Sequence, residues 1–136
     1  MLTEVTVCVC TYNEENNIKR CIRNIKANGI SNIFIVDAST DRTRLIAEKE
    51  GAKVFTCEKG LARQRQVAID NCKTKYLAFV DADDRIRKDC ISVLVNEMNK
   101  ENWDAIQASV RVYHPETYWQ KMRHGGIVYL RQEQLI

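Results

Sequence analysis

Short runs of apolar and β-branched residues alternate along this chain with longer stretches in which apolar positions recur every three or four residues. Leu2 to Cys10 is rich in Val, Thr and Cys and ends in polar Thr11-Tyr12-Asn13, which predicts a first strand. Asn13 is placed to cap a helix with Glu14 and Glu15 in its first turn. Ile18, Cys21, Ile22 and Ile25 follow at i, i+3, i+4 and i+7, and Gly29 closes the helix. Asn32 to Val36 has the continuous apolar character of a strand buried on both faces. Ser39, Thr40 or Asp41 can cap a second helix through Glu50, Gly51 ends it, and Ala52 to Cys57 is a third strand. Gly60 to Cys72 predicts a third helix with Leu61, Ala68, Ile69 and Cys72 among its apolar positions, leading into a strand over Lys75 to Val80. Lys88 to Asn99 places Ile91, Leu94, Val95 and Met98 on one helical face, and Asp104 to Tyr113 returns to strand character.

This β-α-β-α-β-α-β-α-β alternation predicts an α/β fold, a mainly parallel sheet with helices on both faces. With 136 residues the chain is a single domain, able to bury a real core. In the doubly wound order 3-2-1-4, strands one and four are neighbours at the switch point, where ligands bind beyond the carboxyl ends. Thr11 to Glu14 and Asp81 to Asp84 then flank that crevice.

Charge and cysteine content narrow the classes. A formal net charge of +3 gives little electrostatic case for nucleic acid. No recognised motif accompanies the basic residues Arg111, Lys121, Arg123, His124 and Arg131, so nucleic acid is not an expected partner. The apolar runs are strand-sized and no membrane segment or signal peptide is evident. Cys8, Cys10, Cys21, Cys57, Cys72 and Cys90 fall mostly inside periodic elements without C-x-x-C spacing. They read as small core hydrophobes in a reducing, cytoplasmic setting rather than as disulfides or a zinc site. His114 and His124 make no convincing metal pair or dyad.

The chemistry gathers where strands end. Asp81, Asp83 and Asp84 place three carboxylates within four residues. On extended backbone the first and third positions of Asp81-Ala82-Asp83 share a side, suited to Mg²⁺ or Mn²⁺ with diphosphate oxygens completing the shell; the plainer reading is a solvated turn. Asp37 ends the second strand and can accept from a base N–H or a ribose hydroxyl, or else serve a turn. Tyr12 can meet a base ring or simply pack. Arg65 falls at an apolar-stripe position after Leu61, from which it can reach inward to a phosphate or cover surface with its stem. The patterns G-x-G-x-x-G and G-x-x-x-x-G-K are absent, which argues against dinucleotide and P-loop enzymes.

Thr11-Tyr12-Asn13-Glu14, Val36-Asp37-Ala38-Ser39-Thr40-Asp41, Gly60-Leu61-Ala62-Arg63-Gln64-Arg65-Gln66 and Phe79-Val80-Asp81-Ala82-Asp83-Asp84 occur in that order. Together they resemble the family 2 glycosyltransferases of the GT-A fold, closely over Val5 to Arg85. The resemblance implies a Rossmann-like three-layer sandwich and a nucleotide-diphospho-sugar donor. It also implies Thr11, Tyr12 and Glu14 lining the nucleoside pocket, Asp37 on the base, Arg65 near the donor, and Asp81 and Asp83 serving ribose and a Mg²⁺ or Mn²⁺. Gly125 to Arg131 resembles the strand that follows the donor site. The family's acidic catalytic base would lie beyond Ile136, so the expectation is a C-terminally incomplete transferase domain over 1–136. Such a chain supplies the donor half of a metal-dependent, inverting transfer and presents an apolar face prone to self-association. Its expected location is the cytoplasm or the cytoplasmic face of the membrane. Val36 where the family often has an acid, Ala38 for Gly and Gln66 for Asn are departures that leave the carboxylates in place. A non-catalytic nucleotide- or partner-binding module is the alternative.

Overall fold

Side chains that alternate along the central strand bury two different cores, and this fixes the three-layer arrangement. The computed structural model describes residues 2–109 and the strand 126–131. After a single 3₁₀ turn at Leu2–Glu4 come β1 (Val5–Thr11), α1 (Ile18–Ala27), β2 (Asn32–Asp37), α2 (Thr43–Lys49), β3 (Lys53–Thr56), α3 (Leu61–Asn71), β4 (Tyr76–Phe79), α4 (Cys90–Glu101), β5 (Ala105–Ser109) and β6 (Gly126–Arg131).

On one face of the sheet Val5, Val7 and Val9 join Ile33, Ile35, Tyr76 and Ala78 beneath α1, α2 and α4. Those helices contribute Ile18, Ile22 and Ile25, then Ala47, then Ile91, Val95 and Met98. On the opposite face Cys8, Phe34, Val36, Leu77 and Phe79 pack against Ala68 and Cys72 of α3. The predicted i, i+3, i+4, i+7 stripe of α1 is buried as a unit. Tyr76, 1% exposed, adds a polar tie by donating its hydroxyl hydrogen to Asn99 Oδ1 at 2.5 Å.

The sheet runs β3-β2-β1-β4-β6-β5. Its first four strands are parallel, with Val7 opposite both Ile33 and Ala78 and Asp37 opposite Thr56, as the order 3-2-1-4 requires. Strand β6 enters between β4 and β5, antiparallel to both, with Leu77 opposite Leu130 and Ile106 opposite Tyr129. Helix α1 leaves β1 on one face while α3 enters β4 from the other, so the β1/β4 boundary is the switch point.

Three expectations need correction. The first helix begins at Ile18, not at an Asn13 cap: Asn13 has φ 55°, and Asn17 and Ile18 donate backbone N–H groups to the Glu14 carbonyl in an intervening turn. Leu61 is not part of a buried stripe but 53% exposed, and the inward positions of α3 are Gln64 and Ala68. The first strand starts at Val5, after the 3₁₀ turn. The predicted strand 104–113 is observed as β5 over Ala105–Ser109. Arg111, His114, Lys121, Arg123 and His124 lie outside the described residues, as does the side chain of Arg131. Among the described residues all six cysteines are free thiols, no helix is long and apolar enough to cross a membrane, and the large exposed hydrophobics are Tyr12, Leu45, Leu61, Val93 and Trp103, on separate segments.

Candidate nucleotide site at the carboxyl edge

Parallel pairing brings the ends of β1, β2 and β4 to one edge, and a set of side-chain bonds locks them there. Thr11 and Asp37 are direct register partners, and the Thr11 hydroxyl donates to Asp37 Oδ1 at 2.7 Å. The Ser39 hydroxyl donates to the same oxygen at 2.5 Å. Asp37 is only 3% exposed, and both bonds fall on Oδ1, so Oδ2 carries no hydrogen bond among the described residues. A buried carboxylate with one oxygen spoken for and the other uncommitted is oriented as an acceptor.

The turn after β1 is stapled to the segment after β2. Asn13 N–H donates to Ser39 Oγ at 2.8 Å, Glu14 N–H to Thr43 Oγ1 at 2.8 Å, and Glu15 N–H to Asp41 Oδ2 at 3.3 Å. Asn13 Oδ1 accepts in return from Thr40 N–H at 2.9 Å. These distant partners satisfy the N–H groups that a local cap would have satisfied, which is why the helix starts late. Asp41 also accepts the Thr43 N–H and hydroxyl on Oδ1, at 2.9 and 2.5 Å, so it does serve the start of α2. Partial burial pushes the Asp41 carboxyl up, but the Thr43 and Glu15 bonds outweigh it and hold the group below its ordinary value.

Gln64, 4% exposed, ties α3 to the same edge. Its Nε2 donates to the Thr11 carbonyl at 3.0 Å and to the Val36 carbonyl at 2.9 Å, bridging the ends of β1 and β2. Sequence reasoning passed over this residue; a glutamine at the inward i−4 position from buried Ala68 was the available signal.

Beyond β4, Asp81 to Asp84 form a β-turn closed by Asp84 N–H to the Asp81 carbonyl at 3.0 Å. This corrects the premise of extended backbone across Asp81-Ala82-Asp83. Ala82, 3% exposed, packs into the core, while Asp81 and Asp83 on either side are exposed and their carboxylates form no hydrogen bond or ion pair among the described residues. The turn is anchored from α1: Asn24 Nδ2 donates to the Ile86 carbonyl at 3.0 Å, and Asn24 Oδ1 accepts the Ile86 N–H at 2.8 Å. The Cys21 thiol sits 3.7 Å from the Asp81 carbonyl. Among the described residues no three His, Cys, Asp or Glu side chains cluster as a metal cage. Exposed carboxylates of this kind could hold a Mg²⁺ or Mn²⁺ only with oxygen ligands from outside the chain, such as a diphosphate and water.

The remaining candidates are more exposed. Tyr12 is 43% exposed, and Lys59 Nζ lies 3.6 Å from its ring centroid. Glu14 is half-buried and accepts from Asn17 Nδ2 at 2.9 Å on Oε2. Arg65 does not point into the core: it is exposed, with Cζ 5.5 Å from the Phe79 ring centroid at the end of β4. From there its charge helps lower the Cys10 thiol, whose larger cause is the hydrogen bond with the Cys8 thiol. That same bond, followed by burial, raises Cys8, and burial pushes Cys21 up to about 12. Half-buried Cys10 is accordingly expected to alkylate before Cys8 and Cys21. Its iodoacetamide rate, followed by peptide mass mapping, should rise with pH through a midpoint below the ordinary thiol value, while Cys8 and Cys21 stay unmodified in the native chain.

Comparison with known proteins bears on the family and the fold. The profile of glycosyl transferase family 2 matches residues 6–135. An uncharacterized glycosyltransferase of Rickettsia bellii is 31% identical over 116 residues, covering 82% of this chain and 39% of that protein. Glycosyltransferase GlyA of Streptococcus pneumoniae is 31% identical over 104 residues, covering 70% of this chain and 15% of its own length. In structure, the mannosyltransferase PcManGT of Pyrobaculum calidifontis, solved with GDP-Man and Mn²⁺, superposes with a TM-score of 0.80 at 21% identity, over 97% of this chain and 45% of that one. Glucosyl-3-phosphoglycerate synthase of Mycobacterium tuberculosis, in complex with Mn²⁺, UDP and glucosyl-3-phosphoglycerate, gives 0.73 at 16% identity, over 96% of this chain and 57% of that one. The chain thus spans less than half the length of these curated relatives, and the structural likeness is one of GT-A fold. With the family profile running from Thr6, the second residue of β1, to residue 135, the chain belongs to glycosyl transferase family 2.

Proposed function

We propose that the carboxyl edge of β2, β1 and β4 binds the nucleoside diphosphate of an activated sugar, and that the whole protein transfers that sugar to an acceptor hydroxyl with inversion. The observation that carries this reading is the pairing of an oriented acceptor with open carboxylates across the switch point. Asp37 is fixed by Thr11 and Ser39 on one side, and Asp81 and Asp83 are unpaired among the described residues on the other. The nucleoside lies over Tyr12 and Glu14, with Asp37 accepting from its base or ribose. The diphosphate extends toward Asp81, Asp83 and Arg65. Support comes from the structural relatives solved with GDP-Man and Mn²⁺ and with UDP and Mn²⁺.

In the transfer an acceptor oxygen forms a bond to the anomeric carbon as the bond from that carbon to the diphosphate oxygen breaks, and the acceptor proton passes to a general base. This chain's residues act on the leaving side: Arg65 places a cation near the departing diphosphate, and Asp81 and Asp83 would hold the Mg²⁺ or Mn²⁺. When bound, that ion neutralises charge developing on the leaving group. Asp37 and Tyr12 hold the nucleoside, so the diphosphate is presented at one distance from the acceptor.

The test is thermal stability with UDP, GDP and dTDP, each with and without Mn²⁺. A ligand at about 100 times its dissociation constant stabilises the native state by roughly 2.7 kcal/mol, several degrees for a chain of this size. A Mn²⁺-dependent rise with at least one nucleotide is expected. No rise with any of them, in a folded chain, contradicts the reading.

A further inference from the structure

Helix α1 carries four basic residues, Lys19, Arg20, Arg23 and Lys26, and no acidic one, and all four are exposed on the side away from its buried stripe. Asn16, Lys19, Arg20, Arg23 and Asn24 line an open groove of about 560 Å³ along that side. A second basic segment is tied to it. Asn24 holds both the N–H and the carbonyl of Ile86, which is 4% exposed, while Arg85, Arg87 and Lys88 around it are exposed. Two distant stretches of sequence thus bring seven cations beside one another on the helical flank that leads away from the carboxyl edge.

Acids offset only part of this charge. Glu50, at the end of α2, pairs with Arg23 at 3.0 Å and with Lys19 at 3.9 Å, and its carbonyl accepts from the Lys26 ammonium. Asp84 and Asp89 bracket the loop, so seven cations stand against three acids. Arg20 donates to Asn17 Oδ1 at 3.2 Å, and Arg20, Arg87 and Lys88 form no ion pair among the described residues.

The arrangement selects the kind of partner. All seven cations are exposed, and they do not converge on a buried point as a pocket for one small anion requires. No aromatic side chain stands on α1 or in residues 84–88 to stack a nucleic-acid base. An anionic bilayer makes no such demand of shape. Each Lys or Arg near its surface contributes on its own, the long side chains reach several headgroups at once, and the groove admits a headgroup phosphate.

We infer that the exposed side of α1, with residues 85–88, docks the protein on an anionic phospholipid surface. The inference stands independently of the nucleotide-site reading. Residues 85–88 follow the Asp81–Asp84 turn without a break, so docking holds the carboxyl edge close to the headgroups.

Co-sedimentation with phosphatidylcholine vesicles, with and without phosphatidylglycerol and at low and high salt, tests this on the wild-type chain and two double variants. Arg20→Gln/Arg87→Gln removes two cations from the flank. Lys73→Gln/Lys75→Gln removes the same charge from the opposite, amino edge of the sheet, just before β4. All four residues are exposed, so both variants should fold. The wild type is expected to bind only vesicles containing phosphatidylglycerol and to release them as salt rises. Arg20→Gln/Arg87→Gln should weaken that binding roughly thirtyfold, about fivefold per cation, while Lys73→Gln/Lys75→Gln leaves it nearly unchanged. No binding to the anionic vesicles, equal binding to phosphatidylcholine alone, or equal weakening by the two variants overturns the assignment. Retention on inorganic polyphosphate or DNA that is lost in Arg20→Gln/Arg87→Gln, without vesicle binding, overturns it in favour of a soluble polyanion.

Discussion

Replacing Asp83 by Ala should leave the melting temperature of the free protein unchanged and abolish the Mn²⁺-dependent part of nucleotide stabilisation. The two halves of this expectation come from one observation. Asp83 is exposed on a turn whose inward residue is Ala82, and it makes no hydrogen bond or ion pair among the described residues, so its removal takes nothing from the fold. Surface changes of that kind are typically within about 0.5 kcal/mol. A hard divalent cation shared with a diphosphate, by contrast, would lose one of the two carboxylates proposed to hold it. The ligand-linked term of roughly 2.7 kcal/mol at 100 times the dissociation constant should therefore collapse. Thermal melts of the variant with each nucleotide, with and without Mn²⁺, check both halves. A large drop in the free protein's melting temperature would instead make Asp83 a structural turn residue.

The second large effect is expected at Gln64. Gln64→Leu keeps approximately the same volume but removes the donor shared by the Thr11 and Val36 carbonyls. The change removes two buried hydrogen bonds, while the Thr11 carbonyl keeps the Ala38 N–H, and should cost about 1–3 kcal/mol at roughly 0.5–1.5 kcal/mol per bond. Urea denaturation measures this directly. Gln66→Leu, two residues along the same helix, breaks only an exposed bond to Asp70 and should cost less than about 0.5 kcal/mol. The Gln64 change should also weaken nucleotide binding, since the bridge holds Thr11 beside Asp37. Equal effects at both glutamines would contradict the role given to Gln64.

Much of the architecture was legible because burial imposes period two on strands and period 3.6 on helices. Val5, Val7 and Val9 against Cys8 and Cys10, and Ile18, Cys21, Ile22 and Ile25 on α1, are such patterns. Local rules failed where distant partners replaced local ones. Asn13 looked like a helix cap, but the N–H groups of residues 13–15 find Ser39, Thr43 and Asp41, and no nearest-neighbour rule anticipates partners 26 to 29 positions away. Asp81 and Asp83 were picked out by composition and position, while the β-turn that presents them depends on Ala82 entering the core and on Asn24 gripping Ile86. Arg65 was placed by helical phase relative to Leu61; the true inward phase is set by Gln64 and Ala68, which leaves both outside. Lys59 had no local signature at all, since its relation to Tyr12 exists only once β3 and β1 share a sheet.

The measurement that tests the central claim most directly is amide-resolved NMR of the chain with UDP or GDP, in which Mn²⁺ is added at a small fraction of the protein concentration. Paramagnetic broadening centred on residues 81–84 and extending to the ends of β1 and β2, present only with nucleotide and absent in Asp83→Ala, is the predicted result. Broadening centred elsewhere, or the same pattern without any nucleotide and in the variant, would contradict a nucleotide-diphosphate site at the carboxyl edge.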